Sequence, residues 1–122
     1  MRVASLRFVW SVPSRAHIFQ LQAMDDTERP WISDHKNFWG YVQGDSAADA
    51  CLLALADNGK WQGHERFFIA APEIWCEKHS ETLRAQFWSD IPVVKGKGFE
   101  GRKGFFDCTK AERLLGWRHQ DW

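Results

Sequence analysis

These 122 residues carry no net charge, no long apolar run and no even set of cysteines. Each of these lacks sets aside a class of protein. Sixteen basic side chains balance sixteen acidic ones, so there is no global field to hold a polyanion such as nucleic acid or an acidic membrane surface. Anion recognition, if there is any, must be local. No apolar stretch approaches the roughly 20 residues that span a bilayer. Residues 1–10 show one arginine, Arg2, ahead of a short mixed run that itself holds Arg7, not the long apolar core and cleavage site of a signal peptide. Cys51, Cys76 and Cys108 are odd in number and far apart, in a chain too large to need staples. The expectation is reduced thiols in a cytoplasmic protein with no nucleic-acid or membrane partner.

What is present fits one globular unit. Hydrophobic residues make up 44% and charged residues 26% of the chain, enough to bury a core without disorder. Eight tryptophans are scattered from Trp10 to Trp122 at no fixed period. Scatter of this kind favours core and interface packing over a stacking platform for sugars or bases.

Along the chain, strand and helix signals alternate. Residues 3–10 (VASLRFVW) are rich in branched and aromatic side chains and close at Pro13, which predicts a buried strand. Ser14 stands as an N-cap for a helix to Met24, with Ile18 and Leu21 on one face. Residues 25–37 hold Pro30 and show no period, predicting an exposed loop, and a short strand follows at 38–43. Residues 46–57 (SAADACLLALAD) predict the clearest helix, with Ser46 as cap, Asp49 in the first turn and Asn58-Gly59 as stop. Its alanines and leucines cover nearly the whole circumference, which predicts burial on both faces. A strand at 65–70, a helix at 80–88 and a short strand at 91–94 come next. Residues 109–115 (TKAERLL) carry a capping box, Thr109 with Glu112, and end at Gly116. No linker or repeat divides this succession. The expected fold class is α/β, or α+β for the chain in isolation, with a few short strands and three to four helices in a single domain over 1–122.

Four segments, SLRFVWSVP, YVQGDSAADACLLAL, ERFFIAAPE and FDCTKAERLLGW, resemble in order and spacing the C-terminal, substrate-side half of NAD-dependent epimerase/dehydratase proteins of the extended short-chain dehydrogenase type. The resemblance implies a Rossmann-type parent fold and NAD or NADP chemistry on a sugar-like or nucleotide-sugar substrate. In that family, a glycine fingerprint and a Tyr-x-x-x-Lys pair in the preceding half hold the cofactor and move the proton. Tyr41 is the only tyrosine here, and Asp45 stands where the lysine would be. No catalytic residue can therefore be assigned, and the chain by itself is expected to bind no nicotinamide cofactor and to be redox-inert. Within the matched segments, Trp10 stands where the family often has asparagine, Ser46 where it has an acid, and Phe68 where it has asparagine. The resemblance places Trp10, Ser11 and Val12 at the cleft edge that a dinucleotide-binding half would face.

Among local motifs, Gly96 to Gly101 spells a literal GxGxxG. The fingerprint needs a helix at its third glycine and a further parallel strand, whereas Arg102-Lys103-Gly104 continues as loop. Residues 95–104 (KGKGFEGRKG) gather four glycines and four positive charges. Lys95, Lys97, Arg102 and Lys103 are then available to the phosphates of a sugar ligand, with a solvated loop as the plain alternative. Arg7 interrupts an apolar strand, so it must reach a carboxylate or the open end of the site. Arg7, Trp10, Lys95 and Arg102 are thus the expected substrate contacts. Cys76 and His79 supply two metal ligands where zinc needs three or four, so no metal is expected. Three readings follow: the substrate-binding part of such an enzyme, one piece of a two-chain enzyme completed by a Rossmann-domain partner, and a non-catalytic module that covers its apolar faces by self-association.

Overall fold

The computed structural model describes residues 1–24 and 30–121. It is a mixed α/β fold of four short strands and five α-helical segments, two strands in each of two small parallel sheets. Strand β1 (Arg2–Phe8) pairs in parallel with β4 (Gly63–Ile69), in a register that sets Leu6 against Phe67 and Phe8 against Ile69. Beyond that point the two chains diverge. Strand β2 (Trp10–Val12), the continuation of β1, pairs in parallel with β3 (Tyr41–Gln43), and the Tyr41 carbonyl accepts from the Ala71 amide at 2.7 Å. The β3 segment thus sits in a fork, bonded to both diverging chains.

That position explains why β3 is buried at all three residues. Side chains alternate along a strand, so Tyr41 and Val42 enter different cores. Tyr41 joins Val12, Ile18, Trp39, Ile74, Trp75 and Leu83. On the other side, Val42 joins Ala50, Trp61, Phe67, Ile69, Ala111, Leu115 and Trp117. Trp39, Trp61, Trp75 and Trp117 are buried, each removing apolar surface worth about 2–3 kcal/mol. Packing therefore accounts for half of the tryptophans.

Helix α1 (Arg15–Gln22) follows Ser14, whose backbone is extended but whose hydroxyl makes no capping bond. Of the loop expected at 25–37, residues 25–29 lie outside the described residues. The remainder is helical instead: α2 (Pro30–Ser33) runs into a 3-10 turn (Asp34–Asn37). Here tertiary contacts override the weak period, since Asp34 accepts from the Trp75 indole at 2.6 Å. The expected strand at 38–43 is shortened to Tyr41–Gln43, because Phe38 (φ 52°) and Trp39 (φ 54°) both occupy the left-handed region. Two consecutive bulky residues there are strained by about 1–3 kcal/mol each. Burying Trp39 holds them in place, and a Cβ at the following Gly40 would come within 3.1 Å of both Phe106 and Val9.

Helix α3 (Gly44–Leu55) starts three residues earlier than its serine cap suggests. The cap is Gln43, whose Oε1 accepts from the Ser46 amide at 2.9 Å, and Ser46 is buried in the first turn. The expected burial on both faces is not found: Ala50 is buried, while Leu52 is 66% and Leu55 79% exposed. The helix ends at Ala56 in an extended conformation rather than at Asn58-Gly59. Helix α4 (Ser80–Phe87) buries Leu83 as its pattern requires. No strand forms at 91–94, where the backbone has no partner strand and the residues are exposed. Helix α5 (Thr109–Leu115) lies where expected, but Asp107 rather than a capping box satisfies its start: Oδ1 accepts from the Thr109 amide at 3.0 Å and its hydroxyl at 2.7 Å. Gly116 stops it in the left-handed region at φ 72°, with the Trp117 amide reaching back to Ala111.

The three cysteines are free. Among the described residues, no helix is long and apolar enough to cross a membrane.

Candidate functional site

A cleft of about 950 Å³ opens between the 91–99 segment and the chain leading into α5. Its apolar surface comes from Phe38, Trp88, Phe99, Phe105 and Phe106, joined by Ile91, Pro92, Val93 and Val94. The rings support one another: Phe99 and Phe105 lie 4.5 Å apart between centroids, Phe38 and Trp88 5.3 Å, and Phe38 and Phe105 5.6 Å. Offset and tilted pairs at these distances add about 0.5–1.5 kcal/mol each beyond area burial. The left-handed backbone at Phe38 delivers its ring to this cluster, so the strain noted above is spent on the lining.

Polar groups enter from Lys97, Asp107, Thr109 and Glu112, from Arg84, Lys103 and Arg118, and from His119. Lys97 is paired with Asp107 across the cleft. That bond, helped by the two donors of Thr109, holds the Asp107 carboxyl well below the usual carboxylate range. Arg84 is held by Glu81, Arg118 by Glu112, and Lys103 reaches the Gly98 carbonyl at 3.4 Å. Both partners of the Lys97–Asp107 pair are about half exposed, and pairs of that kind are worth about 1 kcal/mol or less. An incoming anion can therefore recruit Lys97 at little cost.

Burial moves two titratable groups of the lining, Cys108 and His119, away from their ordinary values. Burial pushes the Cys108 thiol up. His119 is pushed down by burial, and its Nε2 already accepts from the Gln43 amide at 3.1 Å. Tyr41 lies in the core rather than in the cleft: its hydroxyl is pushed up to about 12, first by burial and then by Asp121.

The structure brings none of Arg7, Trp10, Lys95 and Arg102 to this lining. Arg7 needs no carboxylate, because its face of β1 is open to solvent and its guanidinium sits 5.7 Å from the Phe68 ring. Trp10 is 39% exposed and packs edge-on against His17 at 5.5 Å. Ser11 is exposed, whereas Val12 is in the core. Lys95 is exposed, and Arg102 pairs with Glu73 at 2.8 Å.

The glycine-rich segment is docked rather than loose over its second half. Ile74 bonds Arg102, Gly104 bonds Pro72, and buried Ser80 donates its amide to Gly101 and its hydroxyl to Lys103. Of its four cations, Lys97 and Lys103 line the cleft. Missing from the sequence reading were Phe38, Trp88, Phe99 and Phe105 as lining; the one available signal was the run of aromatics interleaved with glycine at 99–106.

Among the described residues, no group of three or more His, Cys, Asp or Glu side chains is placed to hold a metal. Comparisons with protein-family models, with curated proteins and with solved structures find no match to this chain.

Proposed function

We propose that this chain is a binding unit for a phosphorylated sugar of the nucleotide-sugar type, and corresponds to the substrate-side portion of an NAD(P)-dependent epimerase, dehydratase or reductase. The observation that carries the reading is the aromatic cleft with Lys97 and Lys103 in its lining. Aromatic faces suit a nucleobase or sugar ring, and recruitable cations suit phosphate oxygens. The four-segment resemblance points to the same ligand class. The chain's lack of a Tyr-x-x-x-Lys pair, with its single tyrosine locked in the core, supports binding without redox chemistry.

The test is a titration with UDP-glucose followed by tryptophan emission, since Trp88 and Trp117 both line the cleft. Saturable quenching with a Kd at or below about 1 mM, weakened several-fold in Lys97→Met and altered in amplitude in Trp88→Phe, supports the proposal. A flat titration of the folded chain, or quenching indifferent to both substitutions, overturns it.

A second reading is supported by the exposed apolar side chains Phe8, Trp10, Leu52, Leu55 and Phe68. Among the described residues no strand pairs with the free edge of β1, and parallel sheets are ordinarily covered. A Rossmann-domain partner chain or a second copy of this chain would cover these groups. Sedimentation separates the two: a homodimer of the pure chain supports self-association, and a monomer that captures a Rossmann chain supports a two-piece enzyme.

A further inference from the structure

Arg15, at the start of α1 and just beyond the carboxyl end of β2, meets the side chain of Tyr41, the first residue of β3. In open parallel sheets that end is where ligands gather. Here the place is taken by the chain itself. Arg15 Nη1 donates to the Tyr41 hydroxyl at 2.6 Å and to Asp121 Oδ2 at 2.9 Å. The Tyr41 hydroxyl in turn donates to the same Oδ2 at 3.2 Å.

Three features distinguish this from an ordinary surface ion pair. First, the guanidinium, whose Cζ lies 5.3 Å from the centre of the Phe19 ring, has spare donors: among the described residues its hydrogen bonds leave from Nη1, while Nη2 and Nε, which would complete the two-pronged geometry that oxyanions prefer, make none. Second, the second donor is a buried tyrosine, 1% exposed, whose hydroxyl is fixed in direction by the core around it. Third, the occupant is carried by a segment laid over the strand ends and tied there independently: His119 Nε2 accepts from the Gln43 amide at 3.1 Å, and the Gln120 amide donates to Ser46 Oγ at 3.0 Å. The Arg15 and Asp121 side chains remain 32% and 27% exposed, so solutes can reach them. Among the described residues, His119 Nε2 lies 3.8 Å from Asp121 Oδ1, and Asp45 accepts from Gln43 Nε2 at 3.3 Å.

We infer that Arg15 and Tyr41 form a binding site for a small oxyanion, a phosphate or a carboxylate, which the chain's own Asp121 occupies as an internal competitor. The site is separate from the aromatic cleft and does not rest on the reading of it. A tethered carboxylate competes at an effective concentration in the millimolar range or above, so the intact chain takes up external anions weakly and removal of Asp121 unmasks the site.

The experiment titrates inorganic phosphate and, separately, acetate into the intact chain, Asp121→Ala, Asp121→Asn and Arg15→Met/Asp121→Ala, at low ionic strength and constant pH. The guanidinium Nε–H resonance of Arg15 is read by NMR, and amide shifts around Gln43 in the double variant. Thermal unfolding of each variant verifies that it is folded. The inference expects saturable shifts in Asp121→Ala and Asp121→Asn at least about ten-fold tighter than in the intact chain, and none in the double variant. Preference for phosphate or for acetate names the natural source of the oxyanion. Equal affinity of intact chain and variants, no binding by either folded Asp121 variant, or binding that survives loss of Arg15 each overturns it.

Discussion

Replacing Gln43 by alanine should be the most damaging single polar truncation in this protein. Gln43 is 1% exposed and joins three parts of the chain. Its Oε1 caps α3 through the Ser46 amide at 2.9 Å, and its Nε2 donates to the Pro13 carbonyl at 2.9 Å, tying β3 to the β2–α1 turn. Loss of the cap costs about 1 kcal/mol. Leaving the Pro13 carbonyl without its partner costs a further 1–3 kcal/mol or so, giving a total of about 2–4 kcal/mol. In urea, with a slope of about 1–3 kcal/mol/M for a chain of this size, the midpoint should fall by roughly 1–2 M. The assay is equilibrium unfolding followed by far-UV dichroism and tryptophan emission together. Gln43→Glu provides the internal check: it keeps the acceptor for Ser46, loses the donor to Pro13 and sets a second carboxylate beside Asp45, so it should be destabilised at neutral pH and partly recover on acidification. A Gln43→Ala chain within about 0.5 kcal/mol of the parent, the range of ordinary surface changes, would refute the reasoning that β3 is locked in its fork by this side chain.

Other substitutions probe separate parts of the account. Leu83→Ala, at a position with no exposure, should cost about 2–5 kcal/mol in the same unfolding assay. His119 has a folded-state pKa lowered by burial, so the native state holds fewer protons than the unfolded one below the ordinary histidine value. Its contribution is therefore complete above about pH 6.5 and declines as pH falls through that value. The stability difference between the parent and His119→Gln should shrink from pH 7.5 to 5.5, and a difference that grows would contradict the assignment. Asp107, whose pKa is likewise depressed, first by Lys97, acts in the same sense at lower pH: its contribution is present above about pH 3.9 and lost as pH falls further. Asp107→Ala should cost about 1 kcal/mol at pH 7 through the start of α5. Asp107→Asn, which keeps an acceptor for Thr109, should cost less, because the Lys97 pair is half exposed.

What could be read from the sequence was what local chemistry decides. Helices α4 and α5 and strand β4 follow from their own periodicity, and Gly116 from the left-handed stop it provides. Local signals failed where a distant partner outweighs them. Ser46 is a good cap residue, yet Gln43 takes that role because the fork buries it between β2 and α3. Residues 34–37 carry no period and are set by the Trp75 indole, 41 positions away. The outward leucines of α3 illustrate a different limit: apolar composition promised two buried faces, and the chain covers one. The candidate site was the least legible, because it assembles Phe38, Trp88 and residues 91–109 from three separate stretches, and because Phe38 reaches it through a backbone conformation that no propensity favours for phenylalanine.

We propose that these residues bind a sugar-type ligand and neither grip a dinucleotide nor deliver a proton beside it. The most direct measurement is a calorimetric titration of the pure, folded chain with NADH and with NADPH, run beside UDP-glucose. Heat from the sugar nucleotide alone, with neither coenzyme giving a saturable signal, is the predicted result. Micromolar affinity for either coenzyme would contradict the account.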